Sequence, residues 1–203
     1  MKTLTVVLLL GIVAAIQCHA VSSPGADDND HDKFNEKHNS VDHHQHIIEE
    51  VHTERGTAGA TSEYSATYMA EKGFQKNYAY GWKTKNNYGH MPEMIWYKFR
   101  ESFVPAEVTF RSNGNVNEMP TKYQFVGSND HHCNEYSPWT ILCEDLSGDV
   151  VKYRYESKRC AVSHYHQATY FCFGLRVLNT KGNTAYAGVG NVRFFKRYDS
   201  AHM

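Results

Sequence analysis

The stretch WYKFR at residues 96–100 alternates Tyr97 and Phe99 with Trp96, Lys98 and Arg100. An alternation of period two is typical of a β-strand that buries one face. The pattern recurs along the chain, at residues 107–111, 122–126, 171–178 and 191–194. These segments predict a series of strands.

Clusters of turn-forming residues separate the predicted strands: SNGN at 112–115, SND at 128–130, SGD at 147–149 and TKGN at 180–183. The sequence shows no long helical periodicity and no internal repeat at a fixed period. Strands at this spacing predict an all-β fold, an antiparallel jelly roll or β-sandwich. Trp96 and Trp139 lie beside apolar strand residues, and we predict both as core residues.

The N-terminus has the form of a secretory signal. Lys2 precedes an apolar run at residues 4–16, and Cys18, His19 and Ala20 end it with a small residue at the cleavage position. The run is too short for a membrane-spanning helix, which needs about 20 residues. We therefore predict a signal peptide at residues 1–20 and a secreted, extracellular mature protein without a transmembrane segment.

Residues 21–61 differ in composition from the rest of the chain. Residues 21–56 carry a net charge of −6 and residues 57–203 one of +4. Such a polar, acidic segment is typical of a disordered tail, although Ser40 as N-cap and Val41, His44, Ile48 and Val51 on one face would suit a short helix. Residues 56–62 resemble a linker, so the folded domain is predicted at residues 62–198.

Six histidines lie in the tail beside several carboxylates: His31, His38, His43, His44, His46 and His52. Neutral imidazole is a good ligand for zinc, copper and nickel, and carboxylates add oxygen ligands that also suit calcium. The tail is therefore a candidate site for Zn, Cu or Ni, and Ca is a further candidate. The alternative is a solvated polar tail without bound metal.

Four cysteines remain after the signal: Cys133, Cys143, Cys160 and Cys172. An even number in a secreted chain predicts two disulfides. The sequence leaves the three pairings open, with local closure (Cys133–Cys143 and Cys160–Cys172) favoured. No Cys-x-x-Cys pair suggests a zinc site.

The sequence offers little support for catalysis or nucleic-acid binding. It contains no Gly-x-Ser-x-Gly, no His-Glu-x-x-His and no phosphate-binding glycine-rich loop. The mildly basic body is too weakly charged to predict a nucleic-acid partner. His131, His132, His164 and His166 lie in predicted loops, where water is their expected neighbour; a metal site or an acid–base role is the alternative.

The order of several motifs resembles a discoidin domain, also called the coagulation factor type C domain, which has a galactose-binding-like fold. YGWKTKNN (80–87) is similar to the family's early Trp-bearing loop, and MPEMIWYKF (91–99) to the strand that follows it. Four further segments resemble the family's later strands: PAEVTFRS (105–112), TKYQFVGSNDHHCNEYSPWTILCED (121–145), YFCFGLRVL (170–178) and GVGNVRFF (188–195).

The resemblance implies a non-enzymatic binding module that contacts a glycan, an anionic lipid or an extracellular matrix polymer through loops at one end of the sandwich. A lectin-like or matrix-adhesive role is the first hypothesis. The alternative is a structural protein of an extracellular, mineralised matrix, and an enzyme is a distant third. The candidate ligand-binding residues come from two loops that this topology would bring together: Tyr80, Trp82, Lys83, Arg111, Asn113 and Asn115.

Overall fold

The computed structural model describes residues 47–53, 55–76, 80–86, 91–149, 153, 155–182 and 185–198. The predicted signal peptide lies outside the described residues, as do His31, His38, His43, His44 and His46. The strands are β1 (Ile47–Val51), β2 (Thr57–Ala60), β3 (Trp82–Lys83), β4 (Glu93–Phe103), β5 (Pro105–Arg111), β6 (Pro120–Ser128), β7 (Thr140–Asp145), β8 (Ser157–Ala161), β9 (Tyr170–Thr180) and β10 (Gly188–Tyr198). One helix, α1 (Ala70–Phe74), and two 3-10 turns (Ala66–Tyr68 and Val116–Glu118) interrupt them.

The strands form two antiparallel sheets that face each other. The first sheet has the order β1-β10-β5-β8, with β3 paired to the start of β10. The second has the order β2-β4-β9-β6-β7. The predicted all-β sandwich is therefore confirmed. No described helix is long and apolar enough to cross a membrane.

The core lies between the two sheets and is rich in aromatic rings. Phe173 of β9 is completely buried, and its ring lies 4.5 Å from that of Phe103, 5.7 Å from that of Phe125 and 5.8 Å from that of Phe194. Offset and edge-to-face rings at these distances stabilise a core beyond their buried area. This packing gives the loops at both ends a rigid support.

Strand β4 shows the predicted alternation, but its tryptophan lies on the outer face. Ile95, Tyr97 and Phe99 are buried between the sheets, whereas Trp96 is half-buried. The prediction that Trp96 is a core residue is wrong, because strand periodicity places it on the side of Lys98. Trp139 is also only half-buried; it precedes β7, and its indole N–H donates to the carbonyl of Asn134 (3.0 Å).

The sheets begin upstream of the boundary predicted at residue 62. Residues 47–51, predicted as disordered or as part of a short helix, form β1 along β10, and the predicted linker forms β2 along β4. The small residues of β2 have a packing function: a Cβ on Gly59 would lie 2.5 Å from the indole nitrogen of Trp96. Glycine is required here because the indole lies across the strand.

The two disulfides are present with a pairing that differs from local closure. Cys133 pairs with Cys172 (Cα–Cα 5.9 Å) and Cys143 with Cys160 (Cα–Cα 6.1 Å). Register explains the first bond, because Ser128 at the end of β6 lies opposite Cys172. The second bond joins β7 to β8, the edge strands of the two sheets, and so closes one side of the sandwich.

Candidate functional site

Three loops meet at the end of the sandwich where β5 and β9 end and β10 begins; we call it the loop end. Backbone hydrogen bonds join the loops: Thr84 N–H donates to the carbonyl of Ala187 (2.9 Å), and Gly182 N–H to that of Asn117 (2.9 Å). The loops are therefore fixed to one another. Their described residues are 61–76, 80–86 and 91–92 in the first loop, 112–119 in the second, and 181–182 and 185–187 in the third.

Lys83 lies at the centre of this end, among tyrosine rings. Its ammonium is 4.3 Å from the ring centroid of Tyr186, 4.8 Å from that of Tyr64 and 5.8 Å from that of Tyr68. A cation near the face of an aromatic ring is attracted to the negative quadrupole of that face. Lys83 thus holds together rings from two loops.

The tyrosines form a row that we call the tyrosine cluster, defined as Tyr64, Tyr68, Tyr80 and Tyr186. The Tyr64 ring lies 5.8 Å from that of Tyr186 and 5.7 Å from that of Tyr68, which lies 5.7 Å from that of Tyr80. All three contacts are edge-to-face. Tyr64 and Tyr80 are each 50% exposed, so the cluster presents aromatic surface to solvent.

A buried carboxylate fixes the lysine beneath the cluster. Glu118 is 3% exposed and accepts hydrogen bonds from Lys83 Nζ (2.6 Å), Asn113 Nδ2 (2.9 Å) and Asn115 Nδ2 (2.9 Å). Buried charges are stable in proteins when they are paired and hydrogen-bonded in this way. Glu118 therefore links the 112–119 loop to the tyrosine cluster.

Asn113 is held by contact with the first residue of β10. A Cβ on Gly188 would lie 2.2 Å from Asn113 Nδ2. Only glycine leaves space for the amide at this point, which fixes the amide where it reaches Glu118.

The structure brings most of the predicted ligand-binding residues to one end but gives several of them structural roles. Trp82 is completely buried, and its indole N–H donates to the carbonyl of Ser62 (2.9 Å). The prediction that Trp82 contacts ligand is wrong, because the indole belongs to the core. Asn113 is 5% exposed, and Lys83 is paired with Glu118. Of the six residues, Tyr80 and Asn115 are exposed.

Arg111 lies on a different part of this end. It pairs with β8 at Ser157, and its guanidinium carbon is 5.4 Å from the ring centroid of Tyr155. The prediction from sequence missed the tyrosines outside the 80–87 loop and the carboxylate that fixes Lys83. Tyr64 and Tyr68 stand four residues apart in SEYSATY, a spacing that offered a signal; Tyr186 and Glu118 offered none.

The loop histidines lie at the other end of the sandwich and serve local structure. The His166 ring stacks on Tyr170 at 5.6 Å, and His132 N–H donates to Asp130 (3.2 Å). The pKa of Asp130 is lowered chiefly by the hydrogen bond from the Ser137 hydroxyl and also by the one from the His132 backbone N–H. No group of three or more His, Cys, Asp or Glu side chains in the described part of the chain could hold a metal ion. His52, the one tail histidine within it, is exposed.

Solved structures with the same architecture include sugar-binding modules. The family 32 carbohydrate-binding module of Clostridium perfringens NanJ, in complex with galactose, superposes with a TM-score of 0.56 over 74% of this chain and 100% of the module, at 16% identity. The fifth such module of the family 89 glycoside hydrolase from C. perfringens, in complex with GalNAc-β-1,3-galactose, gives a TM-score of 0.57 over 72% and 99%, at 18% identity. An F5/8 type C domain from Bacteroides fragilis gives 0.53 over 74% and 97%, at 10% identity.

The chain has the discoidin-type fold. The resemblance seen in the motif order is therefore confirmed for the fold. No protein-family model matches the sequence, and no curated protein matches it. The discoidin-type sandwich of this chain begins with β1, and its tyrosine cluster lies at the loop end.

Proposed function

We propose that this protein is a secreted, non-enzymatic glycan-binding protein and that the tyrosine cluster is its sugar-binding surface. The observation that carries the proposal is the pair of half-exposed rings, Tyr64 and Tyr80, on loops fixed to a rigid sandwich. Aromatic faces bury the apolar face of a sugar ring at low conformational cost, because each ring has few rotatable bonds. The discoidin-type fold supports the proposal, since two solved structures with this architecture are sugar complexes.

Polar groups beside the rings suit sugar hydroxyls. The side chains of Asn115, Asn117 and Lys85 are exposed around the cluster. Amides donate and accept hydrogen bonds, and an ammonium donates three. A sugar stacked on a tyrosine would thus meet directional partners at its rim, as specific ligand sites require.

The same features support a binding role over a catalytic one. Glu118 is the carboxylate beneath the cluster, and it is buried and already accepts three hydrogen bonds. A general base must reach the proton that it abstracts, and Glu118 is covered by its own donors. Two disulfides support secretion, because such bonds persist in oxidising compartments.

Glycan binding is tested with tyrosine variants at the loop end and with control variants at exposed tyrosines elsewhere. The mature protein is screened on a glycan array that includes terminal galactose, N-acetylgalactosamine and chitosan oligomers, and the best sugar is then titrated by calorimetry. Tyr64→Ala and Tyr80→Ala should each weaken binding by about 30-fold, the effect of losing an aromatic anchor worth about 2 kcal/mol. Tyr136→Ala and Tyr165→Ala are the controls, because these rings are 85% and 83% exposed and belong to loops outside the loop end.

Equal loss in the controls, or unchanged binding in both Tyr64 and Tyr80 variants, would contradict the proposed site. An array without any bound glycan would contradict the proposed function.

A further inference from the structure

A groove of about 720 Å³ lies away from the loop end, where β2 begins and β4 ends. Arg55, Lys98 and Arg100 line it, together with the hydroxyl-bearing Thr57 and Ser102. Thr57 lies opposite Lys98 in the β2–β4 ladder, and Lys98 and Arg100 are two residues apart on β4. Three cations therefore line one opening; we call it the cationic groove.

The cations of the groove have no carboxylate partner among the described residues. Arg55 and Arg100 form no ion pair there and are exposed. Lys98 donates to the backbone carbonyl of His131, which holds the ammonium in place without neutralising it. None of the described residues that line the groove carries a carboxylate. Among the residues that the structure describes, none therefore neutralises the positive charge of the groove.

An aromatic side chain completes the groove. Phe171 lines it, half-buried, and the ammonium of Lys98 lies 5.9 Å from its ring centroid. An apolar surface beside cations and hydroxyls is the combination that a charged sugar would contact, since a sugar ring has an apolar face and a polar rim.

We propose that the cationic groove is a second binding site, separate from the tyrosine cluster, and that it takes an anionic polysaccharide carrying sulfate or carboxylate groups. Charge complementarity and the three cations that line one groove carry this assignment. Arg in particular binds such oxyanions through two parallel hydrogen bonds.

A polysaccharide fits these observations better than a membrane surface. Membrane contact requires exposed apolar side chains that reach the acyl boundary. None of the large apolar side chains that are exposed in the described part of the chain lines the groove.

The test uses two probes with the same sugar backbone, dextran sulfate and neutral dextran. Calorimetry on the mature protein should show binding of dextran sulfate that weakens with added salt, because screening reduces attraction between exposed charges, and no binding of dextran. The triple variant Arg55→Gln, Lys98→Gln, Arg100→Gln should bind dextran sulfate roughly 10- to 100-fold more weakly, from the usual strength of three exposed ion pairs.

The matched control removes the same net charge outside the groove, with Lys72→Gln, Lys122→Gln and Lys181→Gln, and should change the affinity less than threefold. The charge-conserving variant Arg55→Lys, Lys98→Arg, Arg100→Lys should keep most of the affinity for dextran sulfate. Melting temperatures confirm that all variants fold. Tyr64→Ala should bind dextran sulfate as the unaltered protein does, which separates this site from the tyrosine cluster.

Three results would each overturn the proposal: equal losses in the groove and control variants, binding of neutral dextran in the groove, or groove-dependent binding to phosphatidylserine vesicles without binding to dextran sulfate.

Discussion

Removal of the Glu118 carboxylate should destabilise the loop end strongly. The Glu118→Ala variant leaves the Lys83 ammonium, whose side chain is 17% exposed, without its partner 2.6 Å away. It also leaves the buried Asn113 amide without its acceptor. Breaking one side of a buried ion pair typically costs about 3–5 kcal/mol. Because Lys83 is partly accessible to water and Asn115 is exposed, we expect the lower part of that range, about 3 kcal/mol.

The assay is thermal and urea unfolding with the disulfides kept oxidised, so that the transition remains two-state. Tryptophan fluorescence reports the transition, and the fully buried Trp82, next to Lys83 in the chain, contributes to it together with Trp96 and Trp139. For a domain of this size about 3 kcal/mol corresponds to a fall in melting temperature of roughly 6–12 °C.

A double-mutant cycle separates the ion pair from general loss of packing. The cycle uses the single variants Lys83→Met and Glu118→Gln and their combination, which keeps similar volumes without either charge. We expect the double variant to recover at least half of the stability lost in Glu118→Gln. A loss of less than 1 kcal/mol in Glu118→Ala would refute the reasoning, as would a double variant no more stable than the sum of its single changes.

Four further predictions concern the glycine contact, the disulfides, buried phenols and the tail. Gly188→Ala should lower the free energy of unfolding in urea by about 1–3 kcal/mol, because the new Cβ would lie 2.2 Å from Asn113 Nδ2. Gly190→Ala is the control and should be near neutral, because its new Cβ would lie 3.6 Å from the nearest atom. Replacing both Cys143 and Cys160 by serine should lower the stability by about 3 kcal/mol, and replacing both Cys133 and Cys172 by about 4 kcal/mol. The larger loss is expected because the Cys133–Cys172 bond closes a loop of 39 residues and the Cys143–Cys160 bond one of 17. Equal unfolding midpoints of the two variants would contradict this loop-length argument. Burial raises the pKa of Tyr97 and of Tyr123. Tyrosine in the unfolded chain ionises near pH 10, so the stability that these phenols contribute is present below about pH 10 and is lost as the pH rises above it. Tyrosinate absorbance should show that the two phenols ionise only on unfolding. Glutamine at His31, His38, His43, His44 and His46 should abolish most zinc uptake near pH 8 without shifting the melting of the sandwich, and uptake should fall as imidazole protonates around pH 6.5; unchanged calorimetric uptake would exclude the tail as the site.

The alternation of side chains in β4 predicted the strand but not which face is buried. Trp96 and Tyr97 are both large and aromatic, so hydrophobicity alone favours neither face. The register of β4 against β9 decides it, by placing Tyr97 opposite the core residue Phe173. Trp82 shows the converse: its sequence neighbours resemble a loop, yet pairing of β3 with the start of β10 places the indole in the core.

The segments before residue 62 were mispredicted because their composition reflects packing that the sequence does not reveal. The glycine and alanine of β2 are typical of a linker in the sequence. In the fold, Gly59 leaves space for the indole of Trp96, which lies over it. β1 lies at a sheet edge, and its carboxylates form ion pairs: Glu50 lies 2.9 Å from Lys76 and 3.6 Å from Arg193. These partners are distant in the chain.

The candidate site depends on topology more than on any motif. Tyr64, Glu118 and Tyr186 come from three loops, and only the sheet order brings them together around Lys83. The 80–87 loop was identified from sequence because it concentrates aromatic and basic residues within a few positions. The disulfide pairing likewise follows from the neighbouring positions of β6 and β9, which cysteine spacing does not encode.

The most direct test of the account is to locate a bound sugar on the protein by NMR. The mature protein, labelled with nitrogen-15, is titrated with the oligosaccharide that binds best in the array. The account predicts that the amides of Tyr64, Tyr80, Lys83 and Asn115 shift together, with one dissociation constant, and that the loop at residues 129–139 stays unchanged. Shifts confined to that loop, or to residues 163–169, would contradict the assignment of the tyrosine cluster as the sugar-binding surface.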